Sequence, residues 1–286
     1  MGENAKSDNQ PILSVVIPVY DEEVNVGPVA EAVAQVLGAW DRPFELIFVD
    51  DGSTDSTFER LRELTTRHAE LRVLQLDRHA GQTAAFEAGF RAARAPVVAT
   101  MDGDGQNDPR DLPRLLERLE RGDVDMVNGV RVKRHDSWLR RISGRIANAV
   151  RNAMTHESVT DVGCSLRVFR RECVEQLSLF DGLHRFFPTL VRIRGFRIAE
   201  MPVNHFPRRG GRSKYGVHNR LWRGLRDLFA VRWMQRRVLR YQVRCEVSGS
   251  TIPKRETRNS KPDTRYPRPE TQNATTPQHP SQPNTR

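Results

Sequence analysis

Three oxygen-bearing side chains, Asp102, Asp104 and Gln106, alternate along the segment MDGDGQ. Alternate residues of an extended segment face the same side, so the three can converge on one cation. Hard oxygen donors suit Mg2+ or Mn2+, ions that keep several waters and recruit substrate phosphates. A solvated acidic turn gives the same pattern, and the DGDG run also suggests a calcium loop. The calcium reading fails on position, because the loop glycine would fall on Asn107 and the final bidentate glutamate on Pro113.

Asp50 and Asp51 close a second apolar run, FELIFVD. Adjacent carboxylates at a buried strand end are costly unless they are used. One suits hydrogen bonds from a nucleobase and the other a cap on the following loop or helix; two caps are the plainer alternative. The second half of the chain supplies cations: Arg131, Arg140, Arg141, Arg145, Arg208, Arg209, Arg212 and Lys214. Arginine binds phosphate through a planar fork of donors, although a solvated positive face explains such residues equally well. Within RRGGRSKY, Gly210 and Gly211 permit close backbone approach to an anion.

The elements that must position these groups are legible in the first half. Apolar runs at Ile12 to Tyr20, Phe44 to Asp50, Arg72 to Asp77 and Val97 to Asp102 read as strands. Between them, Val29, Val33, Val36 and Leu37 share one helical face, and Phe58, Leu61 and Leu64 another, the second opened by a Ser56–Glu59 capping box. Continuous apolar strands alternating with helices imply an α/β fold with a mostly parallel sheet covered on both faces. Ligands of such sheets bind beyond the C-terminal ends of the strands, where the acidic and amide groups collect. Further on, Asp125 to Val132 reads as a strand delivering Arg131, residues 137–154 as a basic helix, and Phe196 to Phe206 as a strand. The segment from Arg220 to Arg240 reads as a basic amphipathic helix. Its Leu221, Leu225, Leu228 and Phe229 share a face, with Trp222 and Trp233 nearby; it suits either a membrane interface or ordinary packing.

The chain has 286 residues and a formal net charge of +10, which fits nucleic acid, an anionic membrane or a phosphate-bearing substrate. No helix-turn-helix, zinc-finger or RNP pattern supports nucleic acid, and that class leaves the acidic strand ends unexplained. Cys164, Cys173 and Cys245 have no metal-ligand spacing and suit a reducing compartment. No window approaches the ~20 apolar residues of a membrane span, and the start MGENAKSDNQ has no apolar segment. The expectation is a cytoplasmic protein, peripheral on the inner face of the cell membrane. Four regions are expected: a disordered 1–10, a catalytic domain over 11–215, the basic helix over 216–242, and a disordered polar tail over 243–286.

The motifs VVIPVYDEE, VDDGSTDST, MDGDGQNDP, DVGCSLRVFR and RRGGRSKYG occur in that order. The set resembles family 2 glycosyltransferases of the GT-A fold, in the polyprenyl-phosphate branch that includes dolichyl-phosphate mannosyltransferase and undecaprenyl-phosphate glycosyltransferases. The segment VRVKRHDSWLRR is most similar to the bacterial members. The resemblance covers residues 12 to about 237. It implies an inverting, metal-dependent transfer of a sugar from a nucleotide-diphosphate sugar (GDP or UDP) to a polyprenyl phosphate. Pro18, Tyr20, Glu22, Asp51 and Asp102 would line the nucleotide-sugar pocket, with Asp50 and Gly81 close by. Asp102, Asp104 and Gln106 would hold Mg2+ or Mn2+. Arg131, Arg141, Ser143, Arg209 and Lys214 would contact the acceptor phosphate or the diphosphate, while Asp161 and Arg167 would lie near sugar and acceptor. Asp104, Asp161 and Arg131 are the expected catalytic set.

Gly103 and Gly105 replace the family's usual alanine and leucine or isoleucine, and are expected to loosen the metal loop. Many bacterial relatives end in two transmembrane helices where this chain has its polar tail. A membrane-protein partner or homo-oligomer in their stead is one reading, and a truncated or shifted end another. A transferase with a non-lipid acceptor in cell-envelope polysaccharide synthesis is the alternative enzyme, although processive synthases carry a QxxRW motif that is missing here.

Overall fold

The structure, a computed structural model, describes residues 10–132, 149, 151–154, 159–175, 177, 180–207 and 217–237. Arg140, Arg141, Ser143, Arg145, Arg208, Arg209, Arg212 and Lys214 lie outside the described residues. So do Cys245, the tail, the first nine residues and most of the helix expected over 137–154.

Seven strands form one sheet: β1 (Leu13–Val19), β2 (Phe44–Asp50), β3 (Leu71–Gln75), β4 (Val97–Thr100), β5 (Met126–Arg131), β6 (Arg167–Arg170) and β7 (Ile198–Val203). Their spatial order is β3-β2-β1-β4-β6-β5-β7. Only β6 runs against its neighbours, pairing antiparallel with both β4 and β5. Among the described residues the longer helices are α1 (Val26–Gly38), α2 (Thr57–Leu64), α3 (Gln82–Ala92), α4 (Asp111–Glu120), α5 (Phe187–Ile193) and α6 (Val217–Arg236).

The apolar strands are continuous because both faces are covered. Val15, Ile17 and Val19 of β1 and Phe48 of β2 pack with Val29 and Val33 of α1, Leu61 of α2 and Leu112, Leu115 and Leu119 of α4. The alternate residues Val16, Ile47 and Val49 meet Phe86 and Phe90 of α3 and Phe187 and Val191 of α5. Each fully buried side chain of this kind contributes about 1.5–3 kcal/mol relative to exposure. Strand order reverses between β1 and β4, and in sheets of this kind the ligand crevice lies beyond the C-terminal ends of the strands at that point.

The capping box at Ser56 does not form: Ser56 makes no side-chain cap. Asp55 Oδ1 accepts the Thr57 amide at 3.0 Å instead, and the Ser56 amide donates to Glu23 at 3.3 Å. An ionised acceptor makes a stronger hydrogen bond than a hydroxyl.

Helix α6 is both packed and exposed. Leu228 and Val231 are buried against Leu183, Phe186 and Leu190, while Phe229 and Trp233 are 64% and 62% exposed. Leu228 and Phe229 therefore do not share a face, because α6 docks through one side and presents aromatics on another. Among the described residues no helix is long and apolar enough to cross a membrane.

Candidate active site

The end of β1 is stitched to the start of α2. Asp21 adopts a φ of 45°; its amide donates to Ser53 Oγ at 2.8 Å and its carboxylate accepts from the Thr54 amide at 2.7 Å. The Glu22 amide donates to Thr57 Oγ1 at 2.8 Å, and the Glu22 carboxylate accepts from Asn25 at 2.6 Å. These bonds fix the backbone of Asp21 and Glu22 just beyond the C-terminal end of β1, and Tyr20 stacks on His79 with ring centroids 4.0 Å apart.

Both aspartates after β2 are buried and used. Asp50 accepts from the Ser53 amide and from Gln75, each at 3.2 Å. Asp51 accepts from the amides of Ala80, at 2.8 Å, and Gly81, at 2.9 Å, and its Oδ2 lies 2.9 Å from His79 Nδ1. Asp51 thus folds the loop after β3 underneath Tyr20 and holds His79 in its stack. His79 belongs to the polar run HAGQ that follows β3 and was not singled out in the sequence.

The acidic loop after β4 is not extended. Asp104 Oδ1 accepts from the Gln106 amide at 3.1 Å and Gly105 has φ 74°, so strand alternation does not align Asp102, Asp104 and Gln106. Gly103 serves close packing here. A Cβ on Gly103 would stand 2.3 Å from Val19 Cγ1, so this glycine lets the loop press onto the end of β1. The Asp102 amide donates to Asn107 Oδ1 at 3.0 Å, an oxygen that also accepts from Ser165. Gln82, the first residue of α3, donates its side-chain amide to Asp102 Oδ1 at 2.9 Å. Gln106 donates its side-chain amide to the Phe206 carbonyl at 3.2 Å, which ties the loop to the segment after β7. Asp102 Oδ2 has no hydrogen-bond or ion-pair partner among the described residues.

The opposite wall carries cations. Arg131 ends β5, and its Nε and Nη2 lie 2.7 and 2.8 Å from the two carboxylate oxygens of Asp161. Burial alone would lower the pKa of Arg131, but the hydrogen bonds and charge of Asp161 outweigh it and hold the guanidinium above its ordinary value. The charge of Asp102 acts in the same direction, so the acidic loop and Arg131 share one electrostatic neighbourhood.

Arg167 differs from its expected role. It opens β6, whose reversed direction brings its first residue to the same sheet edge, opposite Thr100 and Asn128. It is 4% exposed and donates inward, to Asn128 Oδ1 at 3.0 Å, the Val162 carbonyl at 2.8 Å and the His184 carbonyl at 3.5 Å. Burial pulls its pKa down, partly offset by Asp102 and Asp161. Its side chain is thus engaged with Asn128 and with backbone carbonyls. Thr83 of α3 completes the floor: its Oγ1 accepts from the Gly182 amide at 3.1 Å and lies 2.7 Å from His184 Nδ1. Burial, with Arg185 and Arg167 nearby, lowers the pKa of His184 to about 3, so the ring is neutral. Cys164 is buried and its thiol is pushed up to about 11, which makes it an unreactive packing group.

The family model for glycosyl transferase family 2 matches residues 14–178. A dodecaprenyl-phosphate galacturonate synthase of Rhizobium johnstonii is 40% identical over 242 residues, covering 82% of this chain and 71% of that protein. An undecaprenyl-phosphate 4-deoxy-4-formamido-L-arabinose transferase of Edwardsiella ictaluri is 36% identical over 206 residues, 72% of this chain and 63% of that protein. Among solved structures, glucosyl-3-phosphoglycerate synthase from Mycobacterium tuberculosis, in complex with Mn2+, UDP and phosphoglyceric acid, superposes with a TM-score of 0.60 at 20% identity. The match covers 81% of this chain and 80% of that one. That likeness establishes a shared GT-A fold. The matched segment contains the acidic sheet edge and the Arg131–Asp161 pair, and the chain belongs to glycosyl transferase family 2, an enzyme whose relatives include polyprenyl-phosphate sugar transferases.

Proposed function

We propose that this glycosyltransferase moves a sugar from a nucleoside-diphosphate sugar to a polyprenyl phosphate, with inversion at the anomeric carbon. The observation that carries the reading is the Arg131 fork. Asp161 engages Nε and Nη2, which leaves Nη1 without a hydrogen bond among the described residues. A guanidinium so held is a preorganised donor for a phosphate oxygen. The acceptors for which the two relatives are named, dodecaprenyl and undecaprenyl phosphate, support a lipid phosphate as that anion.

In the proposed reaction a phosphate oxygen of the lipid attacks the anomeric carbon and forms the new C–O bond. The bond to the diphosphate oxygen breaks, and the nucleoside diphosphate leaves with the electron pair. A phosphate monoester has its second pKa at ~6, so the nucleophile is already ionised at neutral pH. Asp161, spent on Arg131, orients and does not need to act as a base. Tyr20 and His79 form an aromatic wall for the base, and Asp51 fixes that wall.

The donor chemistry of the acidic loop fits a divalent ion. Among the described residues no three His, Cys, Asp or Glu side chains gather around a common point. The candidate ligands are Asp102, which has one oxygen uncommitted, Asp104 and Gln106. Such a hard, incomplete oxygen set suits Mg2+ or Mn2+ shared with substrate phosphates. When bound, the ion would neutralise the departing diphosphate.

Helix α6 supports a membrane-surface location. Phe229 and Trp233 stand one turn apart and exposed, with the Arg237 guanidinium 5.7 Å from the centre of the Trp233 ring. Aromatics flanked by arginines suit the headgroup region of an anionic bilayer.

The test is a screen of the purified protein against radiolabelled UDP- and GDP-sugars with undecaprenyl phosphate in detergent and Mn2+. The expected result is label in the lipid phase with one donor. Transfer to a water-soluble acceptor alone would overturn the lipid reading.

A further inference from the structure

Arg131 is held by Asp161, the first residue of the turn Asp161–Val162–Gly163, and the residues behind that turn are unusual. Asn128 is fully buried in β5. Its Nδ2 donates to the Asp161 carbonyl at 3.1 Å, and its Oδ1 accepts from Arg167 Nε at 3.0 Å. Arg167 in turn donates to the Val162 carbonyl at 2.8 Å. Two buried polar side chains from neighbouring strands therefore grip the backbone of consecutive residues, Asp161 and Val162. A buried guanidinium with no carboxylate in hydrogen-bond contact is expensive to maintain, which sets this brace apart from ordinary core packing.

The third residue of the turn is Gly163. It is exposed, and its φ lies outside the left-handed region that would by itself require glycine. What demands the missing side chain is Arg131: a Cβ on Gly163 would stand 2.8 Å from Arg131 Nη2 and 3.6 Å from Asp161 Oδ1. Real Cβ contacts essentially never reach 2.8 Å, so the Nη2 end of the guanidinium must shift, and Nη2 is the atom that donates to Asp161 Oδ1 at 2.8 Å. An alanine at this position would displace the fork.

We propose that the turn Asp161–Val162–Gly163 is a positioning device for Arg131, in which the buried Asn128–Arg167 brace sets the turn, Asp161 sets the angle of the guanidinium and Gly163 leaves it room. The role rests on the reading of Arg131 as the acceptor-phosphate ligand. Gly163, Asn128 and Arg167 are positioning residues, since they act through Arg131 and do not touch the substrates.

The experiment compares Gly163→Ala, Arg131→Ala and the double variant with the native chain. It measures kcat and KM for undecaprenyl phosphate and for the sugar nucleotide, together with the thermal midpoint. Gly163→Ala is expected to raise KM for the lipid phosphate about tenfold or more, the size of one charge-assisted hydrogen bond. KM for the nucleotide and the midpoint are expected to stay unchanged, because the site is exposed. In the Arg131→Ala background the same substitution is expected to add nothing, since the group it displaces is gone. Asn128→Ala is expected to give the same acceptor defect together with a lower midpoint. Losses that multiply in the double variant, or a Gly163→Ala chain with native lipid KM, would overturn the positioning role. An Arg131→Ala chain with native lipid KM would instead remove the acceptor reading on which that role rests.

Discussion

Gln82 and Asp102 are joined by a 2.9 Å hydrogen bond that ties the first residue of α3 to the second residue beyond β4. α3 covers one face of the sheet and β4 is a strand within it; the bond fixes one Asp102 oxygen while leaving the other for a ligand. Replacing Gln82 by Ala frees the carboxylate to rotate. The expected outcome is a rise of about tenfold in the Mn2+ concentration needed for half-maximal transfer, the scale of one hydrogen bond to a charged group, with little change in thermal midpoint. Metal titration of the transfer rate checks it.

The Arg131–Asp161 pair separates positioning from proton abstraction. Asp161→Asn keeps the shape and one acceptor oxygen. It is expected to retain measurable transfer, to raise lipid KM, and to leave the form of the pH–rate profile unchanged. Loss of the acidic limb of that profile in the variant would identify Asp161 as a base.

Glu45 offers a stability test at the opposite end of the sheet. Burial raises the pKa of this carboxyl, but hydrogen bonds from Ser14 and the Arg94 amide, and the hydrogen bond and charge of Arg72, outweigh it and leave it below its ordinary value. A carboxyl depressed in the folded state stabilises above its unfolded pKa, and that stabilisation is lost as pH falls through the folded value. Glu45→Gln is expected to cost about 2 kcal/mol at neutral pH, the scale of a hydrogen bond to a charged group, and less at pH 4. Urea denaturation at the two pH values measures the difference.

His184 acts in the same pH direction through the opposite chemistry. Its folded pKa of about 3 lies below the ordinary value for a histidine, so below about pH 6.5 the unfolded chain takes up a proton that the folded chain refuses. Stability is expected to fall by about 1.4 kcal/mol per pH unit from that source alone. His184→Asn is expected to flatten the slope between pH 6 and 4, and denaturant midpoints across that window report it.

On α6, Phe229→Ser with Trp233→Ser is expected to weaken binding to anionic phosphatidylglycerol vesicles by about tenfold or more, given ~1.5–3 kcal/mol per aromatic buried. The fold should be unaffected, because both side chains are exposed. Vesicle cosedimentation reads the change.

The sequence revealed the parallel half of the fold because its strands are buried on both faces. Val15, Val16 and Ile17 are apolar in succession for that reason. β6 escaped notice because it spans four residues, two of them arginines, and a buried arginine contradicts every composition rule that marks a strand. The acidic edge was legible from residue type alone, but the use of each group was not. Asp51 is spent on the loop after β3 and Asp161 on Arg131, and both partnerships join residues about 30 positions apart in the chain. Gly163 carries no chemical signal at all; only the position of the Arg131 guanidinium makes it informative.

The most direct measurement is transfer of labelled sugar to undecaprenyl phosphate by the native chain and by Asp104→Ala, each with Mn2+ and after chelation. Label in the lipid from the native chain with Mn2+, lost on chelation and lost in the variant, is the result expected if the acidic sheet edge serves the departing diphosphate. Equal labelling by the native chain and the variant in chelated buffer would contradict it.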